Sequence, residues 1–153
     1  MTTSVLLNKT FHHTISNYSF GNLSSEVCAK ILKDGRPFSH FIEKWIEANY
    51  PLIHIDGCKD HDFIDINNSD IKYDEKTFTC RGCYFVPSNM LGQGRVFNKE
   101  VFEAKSRKLI YCIVSNINFP EIKIKFVNGT ELIQLYPTGK IPIKDHSKFF
   151  DDS

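Results

Sequence analysis

Residues 71–79 read IKYDEKTFT. Their side chains divide into two alternating sets: Ile71, Tyr73, Glu75, Thr77 and Thr79 against Lys72, Asp74, Lys76 and Phe78. A period of two residues is that of a β-strand, in which successive side chains point to opposite faces. The stretch therefore predicts a strand with Asp74 and Lys76 on one face.

The residues on either side of this strand predict further helices and strands. Upstream, an apolar stripe with Ser24 or Ser25 as its cap predicts a helix from about Asn22, and the turn 34–37 leads to a second helix. Downstream, the dipeptide Asn128-Gly129 predicts a hairpin turn. The elements expected are helices near 22–34, 38–48 and 99–107, strands at 52–55, 62–65, 109–115, 121–127 and 131–136, and a long loop over 80–98. This order predicts a mixed α/β (α+β) fold with one central sheet.

Length and composition predict a single folded domain over residues 1–153. The chain has 41% hydrophobic and 24% charged residues and a net charge of +1, which is typical of a globular protein. We expect a core at about 21–136 and a polar C-terminal tail at 137–153 that covers a sheet edge. No apolar run approaches the roughly 20 residues that span a bilayer, and residues 1–8 lack the basic start of a signal peptide. The sequence thus predicts a cytoplasmic protein with no membrane partner.

Two carboxylates stand where neighbouring strands would bring them together. If the segments 62–65 and 71–79 pair as a hairpin, Asp62 approaches Asp74. Converging carboxylates suit a hard divalent cation, which prefers oxygen ligands. Lys76, on the face of Asp74, can orient a water molecule and stabilise charge on a phosphate. This arrangement predicts metal-assisted hydrolysis of a phosphodiester bond.

These residues resemble the PD-(D/E)XK nuclease superfamily, which includes type II restriction enzymes, phage and repair nucleases, Holliday junction resolvases and some homing endonucleases. Its signature is an acidic residue on one strand, then Asp or Glu, any residue, and Lys on the next, as in Asp62 and Asp74-x-Lys76. Many members carry an upstream helix of the form Gly-x-x-x-x-Glu-x-x-Ala-x-x-Leu, which is matched here by Gly21, Glu26, Ala29 and Leu32. The resemblance spans about 21–115 and implies a restriction-endonuclease-like αβββαβ core, with a central mixed sheet flanked by helices.

The resemblance also implies roles for individual residues. Asp62 and Asp74 would hold one or two Mg²⁺ or Mn²⁺ ions, with Glu26 at the edge of the metal site, and Lys76 would position the attacking water. Asp65 competes with Asp62, and Glu75 with Asp74, as a metal ligand. The enzyme implied is a DNA endonuclease of restriction-like or homing type, encoded by a phage or mobile element and acting as a homodimer.

The loop after the strand has side chains suited to DNA. Several can contact phosphates or base edges, while the loop's glycines allow close backbone approach. The candidates are Thr79, Arg81, Ser88, Asn89, Gln93 and Arg95. The alternative interpretation is an ordinary surface loop.

Three other interpretations of the same region remain open. The pairs Cys58-x-x-His61 and Cys80-x-x-Cys83 have the ligand spacing of a structural Zn²⁺ site. Alternatively, His61 could act in a zinc-braced ββα-metal endonuclease. Finally, the acidic residues could form a solvated edge of a non-catalytic phage module that binds protein or nucleic acid.

Overall fold

The computed structural model describes residues 2–57 and 60–152. Over these residues the chain forms a mixed α/β structure, which confirms the predicted α/β (α+β) class. The strands are β1 Thr10–Thr14, β2 Leu52–His54, β3 Phe63–Asp65, β4 Asn68–Phe78, β5 Cys83–Tyr84, β6 Leu109–Ser115, β7 Glu121–Asn128 and β8 Lys140–Ile141. The helices are α1 Ser25–Leu32, α2 Gly35–Asn49, α3 Lys99–Ser106, α4 Gly129–Leu135 and α5 His146–Phe149, with short 3-10 turns at Ser88–Met90 and Ile143–Asp145.

Six strands form the main sheet in the order β1-β7-β6-β4-β3-β2, and β5 pairs with β8 in a separate ribbon. Strands β4 and β6 are parallel and the other neighbours in the main sheet are antiparallel. A parallel pair needs a crossover connection, and the crossover between β4 and β6 includes α3. Strand β3 begins at Phe63, opposite Tyr73. The second half of β4 therefore extends beyond its partner on that side.

Apolar layers cover both faces of the sheet. On one face α2 packs Phe38, Ile42 and Ile46, all fully buried, against a layer that includes Tyr73 of β4. Helix α2 begins where the Asp34 side chain accepts a hydrogen bond from the Arg36 N–H, as expected for an aspartate cap. The opposite face is covered by a second buried cluster that includes residues of α3, α4 and α5. The end of β4 is thus held between two helical layers.

The predicted hairpin at Asn128-Gly129 is wrong. The Asn128 side chain instead accepts a hydrogen bond from the Thr130 N–H at 2.9 Å and caps α4, so residues 131–135 are helical. Leu132 and Ile133 are buried against the second layer. Gly129 lies so close to α3 that an added Cβ would be 1.8 Å from the Ser106 carbonyl oxygen. The dipeptide therefore serves as a helix cap and a close backbone contact rather than as a turn.

This close contact leads to a prediction for Gly129→Ala. The new methyl group would overlap backbone atoms that cannot move without displacing α3 or β6, so we expect a loss of about 3 kcal/mol or more in the free energy of unfolding. Gly35→Ala is the matched control, since a Cβ there meets only the Thr79 methyl group at 3.5 Å. Urea unfolding followed by circular dichroism measures both variants. A change below 1 kcal/mol in Gly129→Ala would contradict this account of the contact.

The C-terminal segment, which the sequence predicts to be a polar tail, has regular secondary structure and buried side chains. It contains β8 and α5 and buries Phe149 and Phe150. The Thr10 hydroxyl donates to the Phe150 carbonyl at 2.9 Å, and the Thr10 N–H donates to Asp152 Oδ2 at 2.6 Å. These bonds fasten the segment to the edge strand β1, which agrees with the expectation that it covers a sheet edge.

The predicted loop over 80–98 also contains the short strand β5 and a 3-10 turn. The reason is long-range: Cys83 pairs with Ile141 and Tyr84 with Lys140, both far along the chain. Among the helices described, none combines the length and the apolar character needed to cross a membrane.

Candidate active site

Asp62 directly precedes β3, which begins at Phe63. Its backbone N–H donates to the Tyr73 carbonyl at 2.9 Å although Tyr73 is paired with Phe63, so the regular antiparallel register ends here and Asp62 lies at an irregular position beside β4. The Asp62 Oδ2 atom accepts the backbone N–H of Glu75 at 2.8 Å. The carboxyl group also lies within hydrogen-bonding range of the Asp74 and Glu43 carboxyl groups. Asp62 therefore connects β4 with α2.

Asp74 and Lys76 form an ion pair on one face of β4. Lys76 Nζ lies 3.2 Å from Asp74 Oδ2, and the two side chains are only 23% and 14% exposed. The neighbouring parallel strand places Tyr111 beside Asp74 and Ile113 beside Lys76. Buried groups can stay charged when they are paired with an opposite charge. Here the pair adjoins the Asp62 carboxyl group.

Glu43 on α2 is the helical carboxylate of the cluster. It is half-buried and within hydrogen-bonding range of Asp62. The His54 Nε2 atom lies 3.6 Å from Glu43 Oε1 on its other side. Sequence reasoning missed Glu43, although it follows Ile42 of the buried stripe and stands on the helix directly before the hairpin. An acidic residue at the border of such a stripe was the available signal.

The resemblance assigned the helical carboxylate to Glu26, and the structure places that residue elsewhere. Glu26 is exposed in the first turn of α1. Helix α1 packs on α2, whereas α2 is the helix that packs on β4 and β2. The carboxylate that reaches Asp62 from a helix is therefore Glu43.

The two alternative ligands occupy different surroundings. Glu75 is 7% exposed and accepts a hydrogen bond from the Thr77 hydroxyl at 2.9 Å, and Ser39 of α2 continues this chain at 2.9 Å. Asp65 accepts hydrogen bonds from the Ser4 N–H and hydroxyl, at 2.8 and 2.6 Å, and from the Tyr73 hydroxyl at 2.7 Å. Burial alone would raise the pKa of Asp65, but these bonds outweigh burial and lower it to about 2. Asp65 thus fastens the N-terminal segment to β3.

The cluster has an excess of negative charge in a place with little water. Burial, and then the neighbouring Asp62 carboxylate, raise the pKa of Asp74 to about 6 even though Lys76 acts to lower it. Burial is also the first cause that raises the pKa of Asp62 and of Glu43, and it raises the pKa of Glu75 well above its ordinary value. Burial acts to lower the pKa of Lys76, but Asp74 beside it produces a net rise. Such a cluster binds either protons or a cation.

A cleft of about 930 Å³ lies beside the second half of β4; we call it the front cleft. Three of the predicted DNA contacts line it, namely Thr79, Arg81 and Ser88. The start of α2 contributes further polar and basic side chains that the sequence did not single out: Arg36, Ser39 and His40. Of the other predicted contacts, Asn89, Gln93 and Arg95 lie on the exposed loop that follows, and Arg95 donates a hydrogen bond to the Ser88 carbonyl.

The proposed zinc ligands have different environments. Cys83 is fully buried in the apolar layer and Cys80 is exposed, while His61 lines a cleft against α3. Cys58 lies outside the described residues. Within residues 2–57 and 60–152, no three histidine, cysteine, aspartate or glutamate side chains stand in the arrangement of a formed metal centre.

No family model matches the chain, and no curated protein or solved structure matches it at a significant level. Arguments about its function therefore depend on the side chains and their geometry.

Proposed function

We propose that this chain is a metal-dependent endonuclease that hydrolyses phosphodiester bonds in DNA. The observation that carries the proposal is that the carboxyl group of Asp62, just before β3, interacts with those of Glu43 on α2 and Asp74 on β4, beside the ion-paired Lys76. Further support comes from the element order, since α2, β2, β3, β4, α3 and β6 follow the αβββαβ pattern that the resemblance implies.

The donor set suits a hard divalent cation. Asp62 and Asp74 would hold Mg²⁺ or Mn²⁺, and Glu43 would support Asp62, because carboxylate oxygens are the ligands that these ions prefer. The raised pKa values of the carboxyl groups fit this assignment, since a cation would relieve the repulsion that raises them. When bound, such an ion neutralises charge on the scissile phosphate and activates water.

Lys76 has the chemistry of a positioning group. Because its net pKa is raised, its ammonium group stays charged at neutral pH and donates hydrogen bonds to a water or a phosphate oxygen. It cannot accept the proton that the attacking water loses. The half-buried Glu43 carboxyl group, whose pKa is also raised, is the nearby acceptor.

The front cleft gives a path for the DNA backbone toward the cluster. Arg36 and Arg81 supply positive charge on its two sides, and the Ser39 and Thr79 hydroxyl groups can donate to phosphate oxygens. Cutting both strands of a duplex would need two copies of a chain this small, as in the homodimer that the resemblance implies.

The burial of the cluster favours an enzyme over a solvated acidic edge. Carboxylates on such an edge are exposed and keep nearly ordinary pKa values, and their ion pairs contribute little. Here Asp74 is 14% exposed, Glu75 is 7% exposed, and both carboxyl groups have raised pKa values. Buried like charges with perturbed pKa values are typical of functional sites.

The test is a cleavage assay on supercoiled plasmid and on circular single-stranded DNA with Mg²⁺, Mn²⁺ or EDTA. We expect metal-dependent nicking by the wild type and at least about tenfold slower cleavage by Glu43→Gln, because a carboxylate that contacts Asp62 is lost. Glu26→Gln is the matched control and should cut at the wild-type rate. If neither DNA is cleaved with either metal, the proposal is overturned.

A further inference from the structure

A second cleft, of about 460 Å³, lies on the other side of the cluster between α3 and the start of β3; we call it the α3 cleft. Helix α3 turns one face toward it, because its lining residues Val101, Ala104 and Lys105 follow the i, i+3, i+4 spacing of a helical stripe. The lining consists of Asp60, His61, Lys72, Val101, Ala104, Lys105, Lys108 and Leu109.

The α3 cleft is adjacent to the proposed active site in two ways. Lys72 lies on β4 two residues before Asp74 and on the same face, which separates their Cα atoms by about 7 Å. His61 directly precedes Asp62. A strand of substrate that leaves Asp74 along this face therefore enters the α3 cleft.

The charge of the cleft is positive. Lys72 and Lys108 are exposed and Lys105 is half-buried, and within the part of the chain that the structure describes none of the three forms an ion pair. Among the described residues that line the cleft, Asp60 is the one carboxylate. Three lysines against one aspartate favour an anion, and phosphate is the anion that the neighbouring site would handle.

The floor of the cleft is apolar, with Val101, Ala104 and Leu109 contributing to it. Apolar side chains and the His61 ring can cover the flat face of a nucleobase, while the lysines hold the phosphates on either side of it. In a duplex both faces of a base are covered by its neighbours. A base can reach this floor only when it is unpaired and unstacked.

We infer that the α3 cleft binds one unpaired nucleotide of the substrate strand, next to the scissile phosphate. The substrate is then single-stranded DNA, or a duplex with a locally unpaired strand. The inference rests on the proposed nuclease function for the position of the scissile bond, but the binding of the nucleotide needs no catalysis.

The test measures binding in EDTA by fluorescence anisotropy, with a fluorescein-labelled 20-nucleotide single strand, the same strand with abasic sites, and the matched blunt duplex. Wild type should bind the single strand at least about tenfold more tightly than the other two probes. The variant Lys72→Gln/Lys105→Gln/Lys108→Gln should bind the single strand at least about tenfold more weakly. Its plot of log affinity against log salt should be less steep by about 2, since each lost phosphate contact contributes about 0.7 on a single strand.

The matched control is Lys30→Gln/Lys144→Gln/Lys148→Gln, which removes the same charge from exposed lysines outside both clefts. It should change single-strand binding by less than about threefold. Ala104→Glu places a negative charge on the exposed part of the floor and should weaken single-strand binding without loss of thermal stability. The inference would be overturned if intact and abasic strands bound equally well, or if the two triple lysine variants lost the same amount of single-strand affinity.

The cleavage assay separates this inference from the proposed function. Wild type that cuts only duplex DNA, at a rate that the cleft triple does not change, would overturn the inference and leave the nuclease in place. Lysine-dependent binding of the single strand without any cleavage would overturn the nuclease and support the nucleotide site.

Discussion

Lys76→Ala is expected to reduce metal-dependent DNA cleavage by at least about 100-fold while the protein remains folded. The ammonium group lies 3.2 Å from Asp74 and is the cation of the cluster, so its removal takes away a preorganised donor for the attacking water or the phosphate. Losses of this size are typical when one such donor is removed. Initial rates of plasmid nicking in Mg²⁺ measure the effect, and urea unfolding checks the fold.

Lys123→Ala is the matched control for this loss. Lys123 is also a half-buried lysine on a strand of the main sheet, but it lies on β7, away from the cluster. We expect its cleavage rate to stay within about twofold of wild type. If Lys76→Ala retained a third or more of the wild-type rate, Lys76 would have no part in the chemistry.

Asp62→Asn is expected to abolish cleavage and to stabilise the metal-free protein at pH 8. The asparagine oxygen can still accept the Glu75 N–H, so the hydrogen bond of 2.8 Å at the strand end is retained. The substitution removes one negative charge from a group of neighbouring carboxylates. The pKa of Asp74 should therefore fall toward its ordinary value, because the Asp62 charge raises it. Active sites often gain stability when such residues are replaced.

The dependence on pH follows from the sign of the shift at Asp74. Because its pKa is raised to about 6 in the folded protein, folding binds a proton between about pH 4 and pH 6. The contribution of Asp74 to the free energy of unfolding is therefore greatest below this range and falls by about 3 kcal/mol through it. In Asp62→Asn this fall should be smaller. Urea unfolding in EDTA from pH 4 to pH 8 measures both proteins.

Magnesium gives a second readout for Asp62→Asn. At pH 8 a saturating concentration should raise the unfolding free energy of wild type, since binding to the folded state adds RT ln(1 + [L]/Kd). The variant should show no such rise. Asp70→Asn, which changes an exposed carboxylate on the same strand, is the control and should respond to Mg²⁺ like wild type. A variant as responsive to Mg²⁺ as wild type would remove Asp62 from the metal site.

Local patterns predicted the elements whose residues are buried on one face. The alternation around Asp74 and the capping signal at Ser24 or Ser25 each reflect interactions within a few residues, and the structure has a strand and a helix capped by Ser24 at these places. The closeness of the Asp62 and Asp74 side chains followed from the pairing of two neighbouring strands. These features need no knowledge of distant parts of the chain.

Features that the sequence did not predict depend on long-range contacts. Ser4, 61 residues away along the chain, gives Asp65 a structural role that distinguishes it from Asp62. Glu43 joins the cluster because its helix, α2, packs on β4, whereas the helix of Glu26 packs on α2. The dipeptide Asn128-Gly129 is locally compatible with either a turn or the start of a helix. In the structure it starts α4, and Gly129 lies close to the Ser106 carbonyl, a contact that the local sequence does not indicate.

Strand β4 extends beyond the short strand β3, and this has a consequence for the behaviour of the protein in concentrated solution. A strand that extends beyond its partner has unpaired backbone amide groups. Such edges can pair with strands of other molecules, which leads to aggregation. Asp62 occupies the first of these positions by accepting the Glu75 N–H, and its charge repels an incoming strand. The side chain that we propose as a metal ligand therefore also protects the sheet edge, so a substitution that removes this proposed ligand would also expose the edge.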